Sequence, residues 1–127
     1  MNKNAIATTK APGAIGPYSQ GVEIGDLIYT SGQLGLDPAT GELAEGVEKQ
    51  TVQSLRNVQA ILEEAGSGMD KVIKTTVFLK DLGDFVKVNE IYSTFFVEPY
   101  PARSAVEVAR LPKDGLVEIE VIALKKS

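Results

Sequence analysis

One arginine in this chain stands in a setting that could do chemistry. It lies in the run Tyr100-Pro101-Ala102-Arg103-Ser104-Ala105-Val106-Glu107-Val108-Ala109-Arg110-Leu111-Pro112. Pro101 fixes its own φ and biases Tyr100 toward extended backbone, so the chain enters a strand with little slack just before Arg103. From Ser104 the residues alternate, with Ser104, Val106 and Val108 toward one face and Ala105, Glu107 and Ala109 toward the other, until Pro112 ends the run. A guanidinium held this way presents a planar fork to an anion. Surface arginines also commonly serve as rim residues in exposed ion pairs. The surroundings of Arg103 decide between these readings.

Two carboxylates form the second candidate. Over residues 116–124, Val117, Ile119, Val121 and Ala123 make one apolar face, while Leu116, Glu118, Glu120, Ile122 and Leu124 make the other. Either both glutamates face water on a barely covered face near a sheet edge, or at least one lines a pocket, where partial burial raises its pKa toward that of a useful acid or base. Tyr18 follows Gly16-Pro17 and leaves a restricted backbone, either into a pocket or as a core cap with its hydroxyl in water. Ser31-Gly32 ends a strand where a ligand could approach the backbone closely, although such a pair is often only a bend. Asn89 falls inside an apolar helical stripe, where its amide must bond a neighbouring backbone or face a polar cleft.

Regular elements must position these residues. A short strand is expected over 5–9, followed by an ordered loop rich in Gly and Pro through Tyr18. Residues 20–24 and 27–31 read as a hairpin about Gly25-Asp26, and Asp37-Pro38-Ala39-Thr40-Gly41 as a turn. Val47, Val52, Leu55, Val58, Ile61, Leu62 and Ala65 recur at helical spacing over 46–65, with Gly66 as the C-terminal cap. A strand over 71–79 follows. Asp81 or Asp84 can cap a second helix running to about Phe96, with Phe85, Val88, Ile91, Tyr92, Phe95 and Phe96 as its buried stripe. The order of strand, hairpin, helix, strand, helix and two strands predicts an α+β domain over 1–127, with both helices on one face of the sheet. Strands 72–79 and 116–124 are apolar on both sides, so the second face is expected to be covered by copies of the same chain in a closed cyclic oligomer.

Composition narrows the chemistry further. The 127 residues include no His, Cys or Trp, which removes Ser-His-Asp and Cys-His catalysis, thiolate redox chemistry and His/Cys zinc sites. Carboxylates, Lys, Tyr, Ser, Thr and backbone dipoles are left. No EF-hand loop, P-loop or dinucleotide-binding glycine pattern occurs, so neither a cofactor nor a metal is expected. The net charge of −4 and the lack of a basic cluster argue against a nucleic-acid partner. The chain has no membrane-length apolar run, and its polar start lacks the features of a signal peptide, which predicts a soluble, cytoplasmic protein.

Several segments together resemble the RidA family of reactive intermediate deaminases, also called YjgF or UK114. They are Ile15-Gly16-Pro17-Tyr18, Ser31-Gly32-Gln33, Lys80-Asp81-Leu82, Pro101-Ala102-Arg103-Ser104, Ala109-Arg110-Leu111-Pro112-Lys113-Asp114 and Glu118-Ile119-Glu120. The resemblance runs from about Ile6 to Leu124. It implies a chorismate-mutase-like α+β fold with a mixed sheet, a homotrimer whose sheets form an inner barrel, and active sites in the clefts between subunits. It also implies hydrolysis of 2-iminobutanoate and 2-iminopropanoate, products of threonine and serine dehydratases, to 2-oxo acids and ammonia without a cofactor. Within it, Arg103 corresponds to the substrate-carboxylate arginine and Glu118 to the glutamate that positions water. The resemblance also implies that Tyr18, Ser31, Gly32 and Asn89 line the cleft. Many members carry cysteine where this chain has Ala105, so a ligand contact there must come from the Ala105 backbone. The segment Val97-Glu98-Pro99-Tyr100 is also shorter than in some relatives. A non-catalytic module binding small carboxylates or proteins in the same groove is the alternative, because fold alone does not set function. The ribonuclease or translation-inhibitor role attached to some family names is disfavoured by the acidic charge and the missing histidine.

Overall fold

In the computed structural model, which describes residues 2–125, strand periodicity and helix periodicity meet around one layer of apolar side chains. The strands are β1 (Asn4–Ile6), β2 (Gly21–Ile24), β3 (Leu27–Thr30), β4 (Gln33–Leu34), β5 (Val72–Leu79), β6 (Ala102–Glu107) and β7 (Val117–Leu124). The helices are α1 (Gly46–Glu64) and α2 (Phe85–Tyr92). The sheet order is β1-β2-β3-β7-β5-β6, with β4 also pairing β7. All pairs are antiparallel except β5 with β6, which are parallel and joined through α2. The result is the mixed sheet with two helices on one face.

The core is the helix-facing side of that sheet. Ile28, Val77, Leu79, Val117, Ile119, Val121 and Ala123 pack against Leu55, Val58, Ile61 and Leu62 of α1 and Val88 and Tyr92 of α2. Each fully buried Leu or Ile contributes about 1.5–3 kcal/mol relative to exposure. Alternation puts Glu118, Glu120, Ile122 and Leu124 on the other side. There the ladder registers align Val22 with Tyr29 and Ile122, and Phe78 with Glu118. Tyr29, Val106 and Leu124 on this side are each more than 40 % exposed, so no element among the described residues covers it.

Four expectations change. β1 is shorter than 5–9, because Thr8 bonds the Gln20 side chain through both its N–H and its C=O instead of continuing a ladder. The second helix ends at Tyr92 rather than Phe96, and Thr94 and Phe95 donate to the carbonyls of Ile91 and Tyr92 in tighter turns. Asp81 caps the 3-10 turn Leu82–Asp84 that leads into α2, accepting from the Gly83 N–H, while Asp84 makes no side-chain cap. β7 is a central strand between β3 and β5, so the reading of its glutamates as edge residues is wrong. The hairpin at Gly25-Asp26 and the end of α1 at Gly66, with φ +78°, match the turn chemistry.

Candidate active site

The sequence-predicted residues fall into two groups on opposite faces of the sheet. Arg103, Ala105 and Asn89 form the first. Arg103 is the second residue of β6, the edge strand, and pairs in register with Thr75 of β5. Thr75 is fully buried on the helix side, so Arg103 points the same way, toward α2. Its Nη1 donates to Asn89 Oδ1 at 2.7 Å, and its guanidinium carbon lies 5.1 Å from the Phe85 ring centroid and 4.8 Å from that of Tyr92. Phe85, Asn89 and Tyr92 are spaced i, i+4, i+7 along α2 and share a face. This cradle fixes the guanidinium plane, yet Arg103 remains exposed and leaves four of its five N–H donors for an anion. Asn89 thus pairs with a side chain on the edge strand rather than with a neighbouring backbone group. Ala105, half-buried against the core, keeps only backbone polar atoms. Glu107 Oε1 accepts from Leu82 N–H at 2.9 Å and ties the end of β6 to the turn before α2.

Tyr18, Ser31, Gly32 and Glu118 form the second group, in a cavity of about 620 Å³ between the 12–18 loop, the end of β3, the turn at Asp37 and the start of β7. Buried polar side chains build its walls. Gln20 donates to the carbonyls of Thr8, Ala11 and Pro12 and so holds the loop that carries Tyr18. Ser54 and Asn57 of α1 donate to the carbonyls of Gln33, Leu34 and Leu36, which pins the chain beyond Gly32. The Ser31 hydroxyl donates to the Ser19 carbonyl at 2.6 Å, so its proton is engaged in joining the two walls. Tyr18 is half exposed, and its hydroxyl accepts from Ile15 N–H at 3.5 Å.

Glu118 is the titratable group that β7 contributes to this cavity, which Asp37 and Lys113 also line. Burial is the larger cause that pushes its pKa above the ordinary glutamate value, and the nearby Glu120 charge adds to it. Gly32 makes its position workable, since a Cβ there would stand 2.8 Å from Glu118 Cδ and 2.9 Å from Oε2. Ser31-Gly32 is therefore more than a bend. Glu120, exposed on the same face, lines no part of the cavity.

Three contributors escape the sequence reading. Lys113 lines the cavity with φ +57°, beside Asp114 at φ +58°; two consecutive left-handed residues other than glycine carry backbone strain of the kind that clusters at functional loops. Phe85 and Tyr92 read as core stripe but also hold the arginine. Their i, i+7 spacing around Asn89 was the available signal. Among the described residues, no group of three or more His, Cys, Asp or Glu is arranged to hold a metal ion, and no helix is long and apolar enough to cross a membrane.

Two helices on one face of a mixed sheet, with an arginine on the edge strand and a glutamate-lined cavity behind the sheet, define the YjgF/RidA type of α+β protein. The chain belongs to the family described as Endoribonuclease L-PSP, whose model matches residues 8–125. It is 56% identical over 124 residues to the 2-iminobutanoate/2-iminopropanoate deaminases of Salmonella typhimurium and Escherichia coli, covering 95% of this chain and 97% of each relative. Among solved structures, E. coli TdcF with bound serine superposes with a TM-score of 0.92 at 48% identity, over 97% of this chain and 99% of that one. RidA from an Antarctic Psychrobacter gives 0.93 at 51% identity, over 95% and 98%.

Proposed function

We propose that this protein is a 2-iminobutanoate/2-iminopropanoate deaminase, which hydrolyses small 2-imino acids to 2-oxo acids and ammonia in sites formed between the subunits of a homotrimer. The observation that carries the reading is Glu118, a carboxylate with a raised pKa on the wall of a cavity. The high identity to deaminases over nearly the whole chain supports it.

The chemistry follows from the two groups. Arg103 takes the substrate carboxylate through its free donors, with Asn89 and the α2 rings fixing its plane. Glu118 accepts a proton from water as the water oxygen bonds to the C=N carbon of the protonated imine. The resulting carbinolamine collapses when Glu118 returns that proton to nitrogen. The C–N bond breaks, ammonia leaves with the electron pair, and the carbonyl forms as the hydroxyl proton is released, so that iminium and water become 2-oxo acid and ammonium. Free imines already hydrolyse in water, so positioning and modest proton transfer suffice. Tyr18, Ser31, Gly32 and the Ala105 backbone line the substrate cleft.

Arg103 and Glu118 lie on opposite faces of one sheet, so a site using both takes them from two copies. The uncovered apolar face around Tyr29, Val106 and Leu124 supplies the surface for that assembly, and threefold closure joins the sheets into an inner barrel. The substrates are small molecules, and the net charge of −4 counts against RNA as the partner despite the family's description. The reaction belongs in the cytoplasm, beside the dehydratases that release such imines.

A coupled assay tests the activity. Threonine dehydratase generates the imine, and 2-oxo acid is followed with and without this protein. Acceleration above buffer is expected. A rate equal to buffer, with 2-oxo acid still bound, would make the protein a carboxylate-binding module.

A further inference from the structure

We propose that Tyr92 is a positioning residue for Arg103, and that its hydrogen bond to Thr75 is what makes the arginine fork rigid. This deepens the deaminase reading and rests on it. Arg103 sits on an edge strand with its side chain exposed, and an arginine there ordinarily keeps the rotamer freedom of a long, unpaired side chain. Here it lies against the Tyr92 ring at 4.8 Å and donates to Asn89 at 2.7 Å.

The Tyr92 ring is itself located from two sides. It is 6% exposed and meets the Phe96 ring with centroids 4.5 Å apart. Its hydroxyl is 2.8 Å from Thr75 Oγ1. Thr75 is the β5 residue directly in register with Arg103. The strand ladder therefore sets the Arg103 backbone and the Thr75 hydroxyl together, and that hydroxyl sets the ring beneath the guanidinium. Tyr92 is also the last residue of α2, where a helix end otherwise frays. A phenylalanine could supply the same apolar volume and the same π-face. Only tyrosine ties that face to the strand carrying the register. Burial raises the phenol pKa, the Thr75 bond and the Arg103 charge opposing it, so the hydroxyl stays protonated and keeps the bond through the neutral range.

The test compares Tyr92→Phe, which keeps the ring and loses the tether, with Tyr92→Leu, Thr75→Val and Thr75→Ser. Three readouts are taken: the Arg103 guanidinium NMR signals, the Kd for 2-oxobutanoate as an unreactive carboxylate probe, and kcat with KM for imine hydrolysis. Tyr92→Phe and Thr75→Val should each raise Kd and KM roughly three- to tenfold with kcat within about twofold of wild type, and Tyr92→Leu should weaken binding further. The Tyr92→Phe/Thr75→Val double variant should be no worse than either single. Thr75→Ser should retain wild-type affinity, and Thr75→Val should broaden or average the guanidinium signals.

Folded Tyr92→Phe or Thr75→Val protein with unchanged guanidinium signals would overturn the proposal. So would a loss confined to kcat. If wild-type protein hydrolyses no imine, the deaminase reading fails by itself, because the guanidinium signals of the variants still report whether Tyr92 holds Arg103.

Discussion

Replacing Gly32 by alanine isolates the placement of Glu118 without touching its charge. The new Cβ would stand 2.8 Å from Glu118 Cδ, 2.9 Å from Oε2 and 3.0 Å from Cγ. Unstrained carbon contacts lie at about 3.5–4.0 Å, so the carboxylate must withdraw by roughly 0.7–1 Å. The obstructing group is the end of a flexible side chain rather than backbone, and the Gly32 φ is not in the left-handed region, so alanine is conformationally tolerated. The fold should survive with little change in Tm, while a misplacement near 1 Å in a proton-transfer geometry costs about 10²-fold in rate. Steady-state imine hydrolysis by Gly32→Ala, checked against thermal melting, measures this directly. The same substitution made in a Glu118→Gln background should add little, because the carboxylate it displaces is already disabled. Wild-type kcat in Gly32→Ala would refute the reasoning. A full additional loss in the double variant would mean that Gly32 acts on the ligand rather than through Glu118.

Arg103→Lys keeps the positive charge but loses the planar fork, and with at least one charged hydrogen bond gone kcat/KM should fall roughly 10- to 100-fold; wild-type turnover in that variant would make Arg103 structural. Mixed trimers test the shared site: Arg103→Ala and Glu118→Gln proteins, each inactive alone, should recover up to about a quarter of wild-type activity when dissociated and reassembled one to one. No recovery in trimers shown by native mass spectrometry to be mixed would place both groups in a single chain. The raised Glu118 pKa predicts an acid limb in kcat/KM above the ordinary glutamate range, since the working carboxylate must be ionised. Glu120→Gln removes one of the two causes and should move that limb to lower pH with a mild effect on the maximum, whereas Glu118→Gln should lower turnover by roughly 10²-fold or more. For stability the sign is opposite to that of a salt-bridged carboxylate. The folded state holds the Glu118 proton more tightly than the unfolded chain does, so this group's contribution falls as pH rises from the ordinary glutamate value through the raised one. Urea unfolding of wild type and Glu118→Gln across that window should converge at its acid end and separate above it, with the variant the more stable.

Local chemistry and periodicity determined the elements. The hairpin needed only Gly25-Asp26 between two extended runs, α1 its apolar spacing and Gly66, and β7 the alternation from Val117 to Ala123. Arg103 and Glu118 could be singled out because a charge beside an apolar pattern is costly without a purpose, and the motif resemblance chose Glu118 over Glu120, which alternation alone could not do. What the sequence could not decide was neighbourhood. That β7 is central follows from its pairing with β3, as in Tyr29 with Ile122, and with β5, as in Leu79 with Val117, partners far apart in the chain. That Gly32 must lack a side chain follows from a carboxylate 86 positions away. That Phe85 and Tyr92 serve the arginine as well as the core depends on the parallel register of β5 and β6. Periodicity assigns each residue a face of its own element. Which faces meet, and that Arg103 and Glu118 end on opposite sides of one sheet, is settled only when the strands are ordered and the helices choose one side of them.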